Sequence, residues 1–82
     1  MAQNGNKNTL VIGERIKQEL KRQGKTSVWL SKQLGCHRTN IYKVYGRASI
    51  DTGMLLHISR ILKYDFFRLY SEALSSHQHG GK

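Results

Sequence analysis

In the stretch SVWLSKQLGCHRTNIYKV, residues 27 to 44, the apolar residues Leu30, Leu34, Cys36, Ile41 and Val44 fit two short helices joined by a tight turn at Gly35. Two helices joined in this way form a helix-turn-helix, whose second helix is a candidate reader of DNA. The charge around the stretch points in the same direction. Between Glu19 and Asp51 every ionised side chain is basic: Lys21, Arg22, Lys25, Lys32, Arg38, Lys43 and Arg47. A solvated surface usually mixes both signs, whereas a field of one sign across a reading element concentrates a polyanion there.

The 82 residues leave room for one domain, with a core that keeps a large share of its surface wet. That argues against enzymatic clefts and for a binding module. The net charge of +9 suits nucleic acid or an anionic membrane, but a membrane partner calls for a long apolar span or a broad apolar helix face, and no such span occurs. The opening MAQNGNKNTL is polar and lacks an apolar run ending in small residues, so no secretory signal is expected and the expected location is cytoplasmic. One cysteine, Cys36, makes no internal disulfide, which agrees with a reducing compartment.

Outward from the central stretch, Ile12, Ile16 and Leu20 recur every four residues and predict a first helix ending near Gly24. Thr26 caps the second helix, which carries Val28, Trp29, Leu30 and Leu34 and closes at Gly35, where a positive backbone angle is expected. The third helix runs from Arg38 to Tyr45, with Ile41 and Val44 inward and Gly46 as its stop. Asp51 caps a fourth helix carrying Met54, Leu55, Ile58, Ile61 and Leu62. Asp65 caps a short fifth one carrying Phe66, Phe67, Leu69, Tyr70 and Leu74. No stretch alternates with period two, so the expected fold is an all-α, five-helix bundle. Residues 1–8 and 76–82 read as flexible ends flanking a domain over 9–75.

With its helices in this order, the segment TSVWLSKQLGCHRTNIYKVYGR resembles the lambda-repressor-like, Cro-type helix-turn-helix family over about residues 10 to 74. The matching positions are Leu30, Leu34, Ile41 and Val44 as buried residues, the small Ser31 where the helices cross, and Gly35 in the turn. Two positions depart from the family pattern. Cys36 replaces a larger aliphatic residue, and His37 stands where a serine or threonine cap is usual, a weakening of about 0.5–2 kcal/mol.

The resemblance implies that the first residues and outward face of the third helix enter the major groove, which assigns Arg38, Thr39, Tyr42 and Lys43 to DNA bases. The planar fork of Arg38 can pair with guanine O6 and N7; its alternative is a phosphate clamp. Thr39 suits a phosphate or a thymine methyl, and Lys43 suits a phosphate better than a base. Asn40 pairs with adenine, binds a phosphate, or faces helix two or solvent. The resemblance also implies a backbone contact for Ser27, where helix N-terminal amides favour a phosphate; a capping role shared with Thr26 is the alternative. Lys25 and Arg47 extend the strip as phosphate anchors, each equally readable as a solvated charge.

Trp29 reads as packed against helix one or four, and the group Tyr64, Phe66, Phe67 and Tyr70 as core, with a dimer surface as its alternative. Cys36 with His37 lacks a second ligand pair, and His77 with His79 offers adventitious metal binding at most, so no metal site and no cofactor are expected. Glu14, Glu19, Asp51, Asp65 and Glu72 read as caps and helix charges. They assemble no nucleophile with a base and an orienting partner, so no catalytic residue is assigned and the chain does not read as an enzyme.

The reading these features favour is a sequence-specific duplex-DNA-binding transcriptional regulator, a repressor or activator of the small bacterial or phage kind that the resemblance implies. The alternatives are an antitoxin, in which the same domain binds a toxin as protein partner and represses its own promoter, and a single-stranded nucleic-acid binder. A homodimer on a palindromic operator would suit the first reading.

Overall fold

The computed structural model describes the backbone of residues 10–81 and the side chains of residues 10–75; the flexible segment expected over residues 1–8 lies outside them. The described residues form an all-α bundle of five helices, α1 (Ile12–Arg22), α2 (Ser27–Leu34), α3 (Arg38–Tyr45), α4 (Thr52–Leu62) and α5 (Phe67–Gly81). The helical backbone of α5 therefore continues through most of the 76–82 segment that the sequence assigns to a polar tail, and His77 and His79 lie beyond the described side chains.

The periodic residues supply the core. Ile12, Ile16, Leu30, Ile58 and Phe66 are fully excluded from solvent, and Leu20, Ile41, Leu55 and Leu62 almost so. Each such side chain contributes about 1.5–3 kcal/mol by leaving water, which a helix of eight residues cannot supply by backbone propensity alone. Phe66 sits in the turn before α5, not on the helix as the sequence suggests, and meets Tyr64 edge-on with ring centroids 4.7 Å apart. Trp29, Leu34, Ile61 and Phe67 are half-buried against this core.

Side chains close three helix starts as expected. Thr26 Oγ1 accepts from the Trp29 amide (3.0 Å), Asp51 Oδ1 from those of Gly53 (2.8 Å) and Met54 (3.1 Å), and Asp65 Oδ1 from that of Arg68 (3.2 Å). The expected weakness at His37 takes a different form, because the imidazole itself caps α3: Nδ1 accepts from the Thr39 amide at 3.2 Å. Gly35 turns the chain with φ +71°. Gly46 ends α3 with φ −88°, outside the left-handed region, and α4 stops at Lys63 with φ 54°, a left-handed lysine for which the sequence carries no signal.

The first helix begins differently. No side chain caps it; the amides of Ile12 and Gly13 instead donate to the carbonyls of Ala48 (3.1 Å) and Arg47 (3.0 Å) in the loop after α3. Gly13 makes this possible, since a Cβ there would lie 2.1 Å from the Val44 carbonyl oxygen and 2.5 Å from that of Tyr45. Backbone thus meets backbone between α1 and the C-terminal end of α3.

Candidate nucleic-acid interface

The helical period divides α3 in two. Ile41 and Val44 are buried, while Arg38, Thr39, Asn40, Tyr42 and Lys43 are exposed, Tyr42 by 52%. All five of the α3 residues that the sequence singles out therefore stand on the solvent side. They fall along two edges. Arg38, Thr39 and Tyr42 lie on one; Asn40 and Lys43, with Arg47 just past the helix, recur at intervals of three and four residues on the other and border a cavity at the start of α4.

Local contacts fix some of these groups. The Thr39 hydroxyl lies 2.7 Å from His37 Nδ1; with the ring nitrogen accepting from both hydroxyl and amide, the ring proton belongs on Nε2. Tyr42 stands tilted against Tyr45, centroids 6.3 Å apart, and so carries a flat apolar surface to the exposed face.

Ser27 occupies the first turn of α2, but its hydroxyl is engaged: Ser27 Oγ and Tyr45 Oη are 2.6 Å apart. The hydroxyl is therefore held by an internal bond, and the group at Ser27 that faces an anion is the amide end of α2. Nor does the hydroxyl share a cap with Thr26, which closes the helix by itself. Tyr45, a residue the sequence reading left out of the site, ties the start of α2 to the end of α3. Lys17 Nζ lies 5.6 Å from its ring centre. Burial raises the phenol's pKa, which the Ser27 hydrogen bond partly offsets. Its only sequence signal is its place four residues after the inward Ile41.

Lys25 and Arg47 are exposed at the edges of the strip. Lys25 Nζ lies 4.7 Å from the ring centre of Trp29, so this lysine is held against α2 by a cation–π contact as well as free to meet an anion. The ion pairs among the described residues are Glu19 with Arg22 and Arg68 with Glu72, and neither draws on a basic residue of α2, α3 or the loop after it. The positive field over this face is therefore not neutralised by intramolecular pairing among the described residues.

Glu19, read as a helix charge, pairs with Arg22 three residues on and is also buried. It is 6% exposed; Arg22 Nε donates to its Oε1 (2.9 Å) and Gln23 Nε2 to its Oε2 (2.7 Å). The same Gln23 nitrogen donates to the Leu62 carbonyl (2.8 Å), which joins the end of α1 to the end of α4. The hydrogen bond from Arg22 lowers the carboxyl pKa, opposed by desolvation and helped by Gln23. The carboxylate thus braces the end of α1.

Among the described residues no three metal-ligating side chains converge, and no helix is long and apolar enough to cross a membrane. No family model matches the chain, and no curated protein or solved structure matches it either.

Proposed function

We propose that the protein is a sequence-specific duplex-DNA-binding transcriptional regulator of the lambda-repressor-like, small bacterial or phage kind, acting in the cytoplasm and laying α3 in the major groove. The observation that carries this reading is the division of α3. Its inner side is locked to α1 and α2, and its outer side presents Arg38, Thr39, Tyr42 and Lys43 to solvent within an all-basic stretch of chain. A short helix held rigidly by its back is what base reading requires, because a guanidinium fork discriminates guanine only when its position is fixed. In this arrangement Arg38 reads a base, Thr39 and Tyr42 make apolar or polar contacts beside it, and Lys43, Asn40, Arg47 and Lys25 meet phosphates. The N-terminal amides of α2 receive a further phosphate next to Ser27.

Selection of duplex DNA from a random pool by the purified protein, repeated with Arg38→Ala, tests the assignment. A motif that loses definition at one base pair in the variant supports it, while salt-sensitive binding with no enriched motif overturns sequence-specific reading. A palindromic motif with half-sites about 34–36 Å apart would add a twofold dimer.

A second reading draws on α5. Tyr70 and Leu74 are 37% and 58% exposed and stand four residues apart on one face of this helix. Such a stripe suits a second copy of the chain or a protein partner, as in an antitoxin that binds its toxin and represses its own promoter. Sedimentation of the wild type beside Leu74→Ser separates a self-association face from a surface that stays monomeric without a partner.

A further inference from the structure

We propose that the cavity between α3 and the start of α4 is a binding site for a small amphipathic organic anion, a carboxylate carried on a single aromatic ring or a short aliphatic chain. The cavity has a volume of about 270 Å³. An apolar cavity of roughly 150 Å³ already accepts benzene, and drug-sized ligands fill about 300–1,000 Å³, so this one fits a single ring or short acyl body with its charged group.

Its lining is divided by chemistry. Cys36, Val44, Ile50 and Met54 supply uncharged and polarisable surface. Lys43 and Arg47 stand beside it on one edge of α3, exposed and outside the ion pairs of the described residues. Asp51 is the acid that shares the cavity, and its Oδ1 is already held by the amides of Gly53 and Met54 at the start of α4. The helix end partly offsets its charge, and two cations outweigh it. A neutral apolar ligand would leave the cations unused, and an inorganic anion would leave the apolar lining wet. An amphipathic anion satisfies both, and the Asn40 amide adds a hydrogen-bond donor at the same edge.

One consequence rests on the proposed DNA-binding reading: Asn40, Lys43 and Arg47 are the side chains assigned there to phosphates, with Lys43 also facing bases, so an occupied cavity competes with DNA for them. The chain would then sense a metabolite-sized anion without a separate sensory domain.

The test is an NMR titration of the full chain, in the absence of DNA, with benzoate, with its neutral analogue benzamide, and with chloride at matched ionic strength. Saturable shifts centred on Val44, Ile50 and Met54 are expected for benzoate, with benzamide about tenfold weaker for want of the two cations. The double variant Lys43→Gln, Arg47→Gln should reduce benzoate to the benzamide level, and Met54→Trp, which fills the cavity, should remove both. Should Met54→Trp fail to fold, the charge variant decides alone. Shifts that never saturate and spread over every basic residue, equal binding of benzamide, or unchanged binding by the double variant would each overturn the site. Because no DNA is present, failure here is separate from failure of the motif selection. Displacement of the selected duplex by benzoate, read by fluorescence anisotropy, then tests the competition.

Discussion

The two sides of α3 are built on opposite principles. Toward α1 the helix meets another backbone: a missing Cβ at Gly13 lets the Val44 and Tyr45 carbonyls approach, and the loop carbonyls of Arg47 and Ala48 close the start of α1. Toward solvent the same eight-residue helix carries long, exposed side chains with few internal partners. The inner side tolerates almost no change in shape, and the outer side tolerates almost any. Stability can therefore be altered on one side of this helix with little effect on the other, which under the proposed function lets specificity change while the fold persists.

Gly13→Val attacks the inner side most directly. The added carbons collide with backbone oxygens that cannot rotate away, and the expected loss is at least about 3 kcal/mol in denaturant unfolding. A variant with an unchanged midpoint would show that α1 and α3 can separate without cost.

Acidification is expected to weaken the fold through Glu19. Its folded pKa is lowered, first by the Arg22 hydrogen bond, so its contribution is present above the usual carboxylate range and is lost as pH falls through the folded value. Thermal melting from neutral pH downward should show a steeper loss for the wild type than for Glu19→Gln. Parallel slopes would remove Glu19 from the account of acid sensitivity.

An opposite sign is expected at Lys63, which holds φ 54° at the end of α4. Lys63→Gly relieves the left-handed strain and, after the flexibility glycine adds to the unfolded chain, should raise stability by about 0.5–1 kcal/mol. A lowered melting temperature would mean that the lysine side chain contributes more than its backbone costs.

The smallest effect on stability belongs to the outer side. Arg38→Ala should leave unfolding within about 0.5 kcal/mol of the wild type while it changes the selected DNA motif. Destabilisation comparable to that of Gly13→Val would erase the distinction between the two sides.

Much of this architecture is legible in the chain. Apolar spacing locates all five helices, and Thr26, Gly35, Asp51 and Asp65 mark ends that the structure closes with those residues. Spacing also places Arg38, Thr39, Tyr42 and Lys43 outward, since a face opposite Ile41 and Val44 has nowhere else to point. The role of Gly13 is not legible, because the carbonyls of Val44 and Tyr45 that require it lie far along the chain. The partner of the Ser27 hydroxyl is not legible in the sequence, because Tyr45 lies eighteen residues away.

Local pattern along the chain sets the elements and their polarity: where helices start, which stripe is apolar, and that one stretch carries charge of a single sign. These follow from local geometry, since helical period and capping act over three or four residues. Packing of the folded chain sets what meets across those helices. It seated α1 on the end of α3 through Gly13, buried Glu19 beside Arg22 and Gln23, and opened a cavity between residues as far apart as Cys36 and Met54. Such contacts depend on the angle and distance between helices, which the pattern along a single helix does not encode.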